Sequence, residues 1–253
     1  MNGFLLIAGA GLIAGAMNAL AGGGSFVSLP ALIAAGVPSV AANASSTVAL
    51  FPGGAASAWA YRDGLGPVGA ASLKSLLLTT LAGGAIGAML LLRTPVTIFD
   101  VVLPWLLLLA TLVLGLGQTL GERLRRRWHI RPAAVLIIQF ALAIYGGYFG
   151  GAVGIMMMAV WGLLDSRELK SLNAPRTLLV SAANAVAVLT FILAQAVHWH
   201  ETIIMLVAAT LGGYGGAQLG RRAPAKAVRA GTVLLTSLIT LAFFARAYLK
   251  MPT

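Results

Sequence analysis

"NALAGGGSFVSLPALIAAGVPS", Asn18 to Ser39, sets three consecutive glycines and a serine inside a run of apolar residues. Glycine costs about 1 kcal/mol relative to alanine inside a helix, so the tract predicts a break with helix on either side. The piece after the break, about 25–35, is too short to cross a bilayer. At 1.5 Å per residue it covers about half of a hydrocarbon core of roughly 30 Å.

The surroundings make lipid the solvent. The chain has 253 residues, 59% hydrophobic and 9% charged, and its mean hydropathy is +0.94. A bilayer core has no water to bond backbone polar groups, so such runs must be helices or a closed barrel, and runs near twenty residues select helices. Residues 1–20 carry no basic residue ahead of the apolar run and hold glycines at packing spacing, which reads as a span and not a cleaved signal. The net charge of +11 is confined to loops between apolar spans. That pattern points to membrane topology and anionic headgroups and excludes a nucleic-acid partner. The absence of cysteine excludes disulfides and thiol chemistry.

A shift of 130 positions superimposes Gly24 on Gly154, Asn43 on Asn173, Ala44 on Ala174, Thr47 on Thr177, Leu81 on Leu211 and Gly83 on Gly213. The chain therefore reads as a tandem duplication: a first repeat over 1–120, a basic cytoplasmic linker over 121–131 and a second repeat over 132–253. In each half an apolar segment ends in glycines (about 3–21 and 132–150) and a short one follows (about 25–35 and 152–164). Three full spans come next, at about 40–60, 67–92 and 96–117, then 171–196, 199–220 and 228–248. The fold class expected is an all-α polytopic membrane protein of two inverted repeats, with about eight full transmembrane helices plus two short broken or re-entrant half-helices.

Charge supports the inversion. With "ERLRRRWHIR" in the cytoplasm, every Lys and Arg except Arg93, Arg246 and Lys250 falls on or near that side, as the positive-inside rule requires. Both termini are then expected outside. Trp59, Tyr61, Trp128, Trp199 and Tyr248 fall at span ends and read as interfacial anchors.

Broken helices at matching places in two repeats suit a carrier that binds its solute near the bilayer midplane. The N-terminus of a half-helix offers free N–H groups and partial positive charge to an anion. The residues placed at that site are Asn18, Gly22, Gly23, Gly24 and Ser25 in the first half and Gly151 and Gly154 in the second. The competing reading, that these glycines only let helices approach, is preferred for the pairs Gly11/Gly15, Gly83/Gly87, Gly147/Gly151, Gly212/Gly216 and Gly216/Gly220. For Asn18 the competing role is a helix–helix hydrogen bond. "AGGGSFVSL" lacks the lysine and preceding strand of a phosphate loop.

"ANASST" and its counterpart "LNAPRT" add Asn43, Ser45, Ser46 and Thr47, and Asn173, Arg176 and Thr177. For either asparagine an N-cap is the competing role, nearly as well supported as a ligand role. Arg176 lies a few residues inside an apolar span, where a guanidinium must meet an anion or snorkel to water.

All six acids, Asp63, Asp100, Glu122, Asp165, Glu168 and Glu201, fall in loops or at span ends, which argues against a buried carboxylate proton relay. His198 and His200 in "HWHE" read as solvated loop residues. No nucleophile–base motif is present, so no enzyme is expected, and neither a metal nor a cofactor. An anion channel is the alternative to a carrier, with a membrane enzyme behind it. The partners expected are a small anionic substrate and the lipid bilayer, with a homodimer left open.

"GxxAGxMNALAGGGSFVSLPALxAxGVPSVxANASSTVALFPGGAASAWAYR" (11–62) resembles the N-terminal signature of the TauE/SafE family of sulfite exporters and toluenesulfonate uptake permeases. "GGYFGGAVGIMMM" and "LNAPRTLLVSAANAVA" (146–158, 172–187) resemble its repeat signature, although "GGAVG" departs from a run closer to "GGGxG". The resemblance covers essentially the whole chain. It implies a multi-pass carrier in the bacterial inner membrane for small sulfur-containing or carboxylic anions such as sulfite, organosulfonates or sulfocarboxylates.

Overall fold

The computed structural model describes residues 2–69, 71–125, 132–164, 169–220 and 225–249. Within them the chain forms α1 (Asn2–Ala21), α2 (Ser25–Ala34), α3 (Ser39–Ala60), α4 (Leu73–Arg93), α5 (Val96–Arg125), α6 (Pro132–Phe149), α7 (Val153–Leu164), α8 (Asn173–Leu193), α9 (Trp199–Gly220) and α10 (Ala225–Tyr248). Strands are absent among these residues, apart from an isolated bridge between Val68 and Ala71. Five helices, α1, α4, α5, α8 and α10, are long and apolar enough to cross a membrane. α3 and α9 match them in length at 22 residues each, and α2 and α6 supply shorter apolar helices.

The short α2 has clear ends. The amides of Gly36 and Val37 reach back to the carbonyls of Ile33 and Leu32, with Gly36 at φ +93°, so a left-handed glycine closes the helix. Pro38 then blocks its continuation. At ten residues α2 is about 15 Å long, half of what a crossing needs.

Two boundaries differ from the sequence expectation. α4 starts at Leu73 and not near 67: Gly66 and Pro67 precede the Val68–Ala71 turn, and Ser72 caps the helix by accepting the Ser75 amide at 3.1 Å. α5 runs on to Arg125, into the basic stretch. Arg126, Arg127, Trp128 and Arg131 of that stretch, with Asp165, Arg167, Glu168, Arg221 and Arg222, lie outside the described residues.

Glycines set the closest approaches. A side chain at Gly15, Gly212 or Gly216 would overlap the backbone of Ala209, Leu12 or Ala16, so α1 and α9 pack backbone to backbone. Gly87 meets Ile144 and Gly147 meets Gly84 in the same way between α4 and α6. In both pairs residue numbers rise together, Gly11 by Met205 and Gly216 by Ala16, Gly83 by Ala143 and Gly87 by Tyr148, so the partners run parallel. α3 and α8 run antiparallel, with Gly64 at Ala174 and Gly54 at Ser181. So do α5 and α10, which join Trp105 to Tyr248 at 2.8 Å, Thr111 to Thr240 at 3.1 Å and Gly115 to Arg229 at 2.8 Å. The buried core collects Phe26, Leu29 and Leu32 of α2 with Phe99, Leu103, Phe149 and Phe191, around the glycine breaks.

Candidate functional site

The first break is a left-handed turn. Gly22 sits at φ +76° and its amide caps α1 by bonding the carbonyls of Met17 and Asn18. α2 then starts with Phe26 bonding Gly23 and with Val27 and Ser28 bonding Gly24. The amides of Gly23, Gly24 and Ser25 are left without a partner, and Gly23 and Gly24 are buried. These are the orphan donors that every helix start exposes, here inside the protein.

The second break repeats the device. Ala152, which stands where the 130-residue offset puts Gly22, takes φ +57°, and Gly150 takes φ +73°. α7 begins with Ile155 and Met156 bonding the Ala152 carbonyl, which leaves the amides of Gly151, Ala152, Val153 and Gly154 unpaired. Alanine in the left-handed region is strained by about 1 kcal/mol or more, so the "GGAVG" variant keeps the backbone shape at a cost.

α3 brings the two breaks together. Ser46 Oγ lies 2.6 Å from Ser28 Oγ, and Ser28 donates to the Gly24 carbonyl at 3.2 Å, tying Ser46 to the first break. The adjacent Thr47 sits against the second: its Oγ1 is 3.4 Å from where a Gly150 side chain would begin. Asn43 donates from Nδ2 to the carbonyl of Tyr148, at 2.9 Å, on the last turn of α6. Asn43 is therefore not an N-cap. Pro38 starts the helix and Asn43 lies a full turn inside it.

From the other side α8 contributes Arg176, whose Cδ and Cγ lie 3.7 and 3.9 Å from the Cβ position of Gly154. Arg176 is half-buried, as is Asn173, the first residue of α8. Thr177 is buried and returns its hydroxyl to the Asn173 carbonyl at 3.0 Å, repeating the 2.9 Å bond of Thr47 to Asn43. Asn18 stands over the first break with its Cβ 3.0 Å from the Gly24 position. Ser45 is set apart from this group: its hydroxyl accepts the His198 amide at 2.9 Å, at the start of α9, and so acts as a tie between helices.

The sequence reading overlooked Ser28, the hydroxyl that links Gly24 to Ser46. Its signal was the four-residue spacing from Gly24, which places it over the break on the same face of α2. It also overlooked Thr232 of α10, whose methyl lies 4.0 Å from where a Gly23 side chain would begin. An open cavity of about 290 Å³ lies elsewhere, between Ala60, Tyr61, Asp63 and Gly64 at the end of α3 and Ser171 and Ala174 at the start of α8. It is roughly 20 Å along α3 from Ser46.

A helical protein with several membrane-spanning elements, and with a broken helix whose Gly23 and Gly24 are buried, has the make-up of a multi-pass membrane transporter. More particularly, the chain belongs to the TauE/SafE family: residues 7–243 match the family model described as "Sulfite exporter TauE/SafE". It is similar to the Escherichia coli K12 protein described as "Probable membrane transporter protein YfcA", with 30% identity over 90% of this chain and 85% of the relative. A Haemophilus influenzae protein described as "Probable membrane transporter protein" is 26% identical over 91% of this chain and 90% of its own length. "Probable membrane transporter protein ORF9" of a Sinorhizobium species is 28% identical over 87% and 81%. No solved structure matches the chain.

Proposed function

We propose that the chain is a secondary transporter of small anions, sulfur-containing ones such as sulfite, organosulfonates or sulfocarboxylates. It works by alternating access at a midplane site between two inverted repeats of a bacterial inner membrane carrier, with both termini outside. The observation that carries this reading is the convergence of two sets of unpaired amides, at Gly23–Ser25 and Gly151–Gly154, on the neighbouring residues Ser46 and Thr47 of α3. Each unpaired buried N–H costs about 1–3 kcal/mol without a ligand or water. Arg176 beside Gly154 supplies the one full positive charge of the group, suited to an oxyanion. The substrate class rests on the family description.

Helix directions support the inversion. A two-fold axis in the membrane plane requires equivalent helices to run antiparallel, as α3 runs to α8 and α5 to α10. It also requires reciprocal contacts, and α1 pairs with α9 as α6 does with α4. The two repeats are thus interlocked, and their relative motion would shift α3 against α8, where the proposed ligands sit.

The test is a thermal-shift screen of purified protein against sulfite, sulfate, thiosulfate, short sulfonates and carboxylates, since a ligand of the folded state raises its apparent stability. Counterflow in proteoliposomes with the best ligand separates a carrier from a channel. No stabilising anion, or flux without saturation or counterflow, would overturn the proposal.

A further inference from the structure

Two oxygens near the centre of α8 are enclosed and have no partner: Ser181 Oγ and Asn184 Oδ1. They are three residues apart, neighbours on one face of the helix. They follow Asn173 and Thr177 along α8 at helical spacing, beyond Arg176, and at Ser181 the helix looks onto α3. Opposite lies Gly54, whose missing side chain would start 3.6 Å from Ser181 Oγ. Ser181 is only 8% exposed. Of the two other orphan oxygens among the described residues, Ser39 Oγ belongs to the first residue of α3, and Gln139 Oε1 to a different junction, where its amide nitrogen donates to Thr80 at 2.8 Å between α6 and α4. Ala183, which meets Gly84 of α4, lies about 200° around the helix from Ser181.

A carbonyl oxygen can only accept, so whatever fills this place must offer a proton or a positive charge. Neither α3 nor α8 carries a carboxylate to bring a charge here. A hard monovalent cation takes neutral oxygen ligands without one. The need follows from the anion site proposed above, on which this step rests. A doubly charged oxyanion beside Arg176 leaves one negative charge uncompensated in a low-dielectric interior, where charges survive only in balanced groups. Ser181 lies five residues beyond Arg176, about 7.5 Å along α8, close enough for a cation there to complete the balance.

We infer that Ser181, facing Gly54 across the α3–α8 crossing, and Asn184, about one turn further along α8, form a sodium-sized cation site that couples to anion binding. Gly54 offers a mild way to close it. An alanine there meets Ser181 Oγ at ordinary contact distance and improves the helix propensity of α3, so Gly54→Ala should fold at least as well as the parent while covering the oxygen.

The experiment is the melting temperature of purified protein in sodium chloride against choline chloride at equal ionic strength, without substrate, for the parent, Ser181→Ala, Asn184→Ala and Gly54→Ala. The parent should show a saturable rise with sodium that is lost in the first two variants and weakened at least tenfold in apparent affinity in Gly54→Ala. A sulfite shift measured in choline should survive in Ser181→Ala, separating this site from the anion site. Equal melting in sodium and choline for the parent means that water alone fills the place and overturns the inference. An unchanged sodium response in folded Ser181→Ala and Gly54→Ala overturns it as well. If no anion shifts the protein but sodium does, the cation site stands and the anion reading fails.

Discussion

Ser28 Oγ and Ser46 Oγ lie 2.6 Å apart, joining the first turn of α2 to the polar tract of α3. A hydroxyl has one proton to give. While Ser28 gives its proton to the Gly24 carbonyl, Ser46 must donate to Ser28. An anion accepting from Ser46 would turn Ser28 toward Ser46 instead. The pair can therefore exist in two hydrogen-bonded states, and a ligand selects between them.

An asymmetry between two alanine substitutions follows. Ser46→Ala leaves Ser28 satisfied by Gly24, so it should cost about 1 kcal/mol of stability yet reduce anion affinity roughly tenfold. Ser28→Ala removes the partner of a buried hydroxyl and should cost more, about 1–3 kcal/mol, while Ser46 stays free to bind. Denaturation in detergent and ligand-induced melting shifts on both variants read the two effects separately. Equal anion affinity in the parent and Ser46→Ala would remove Ser46 from the site.

Arg176 distinguishes charge from geometry. Removing one charge-assisted contact costs about 1.5–3 kcal/mol, so Arg176→Gln should weaken anion binding roughly tenfold to a hundredfold. Arg176→Lys should recover part of it. If the arginine only reaches for interfacial water, both variants will bind like the parent in the same thermal-shift titration.

How far this site was legible depends on what kind of signal each part carried. The breaks were readable because glycine runs act locally, and so was the end of α2 at Gly36. The start of α4 was misplaced because "PVGAAS" is apolar enough to pass for a span, although the tight turn that Val68 and Ala71 close and the Ser72 cap are both local. For Asn43 a cap competed with a site role because polar residues before an apolar run often cap; the start of the helix is set by Pro38. The contacts of Asn43 with Tyr148 and of Thr47 with Gly150 lay beyond reach, since a repeat offset aligns equivalents and says nothing about which strangers touch.

Gly22 and Ala152 test the backbone shape of the breaks. Both hold positive φ, and nothing lies within 4 Å of a side chain at Gly22, so strain is the only effect of Gly22→Ala. It should lower stability by about 1–2 kcal/mol. Ala152→Gly relieves the same strain, against unfolded-state entropy of about 0.5–1 kcal/mol and the loss of a buried methyl worth about 0.8 kcal/mol, so it should be close to neutral. A clear loss for Gly22→Ala with little change for Ala152→Gly in melting experiments supports one turn geometry in both halves. A comparable loss in both variants would show that the second break is held by other means.

Packing at the α1–α9 contact gives the sharpest contrast between glycines of one helix. A methyl at Gly15 would overlap the Ala209 carbonyl, and backbone cannot step aside as a flexible side chain does. Gly15→Ala should therefore force the helices apart and cost about 1–3 kcal/mol. At Gly9, six residues earlier, nothing lies within 4 Å, and the helix gains from alanine, so Gly9→Ala should be neutral or stabilise by up to about 1 kcal/mol. Because Gly15 also precedes the first break by less than two turns, separating α1 from α9 should disturb Asn18 and the amides it covers. Gly15→Ala should therefore lose anion response together with stability, whereas Gly9→Ala keeps both. A Gly15→Ala protein that melts and binds like Gly9→Ala would mean that α1 and α9 do not pack backbone to backbone in the membrane.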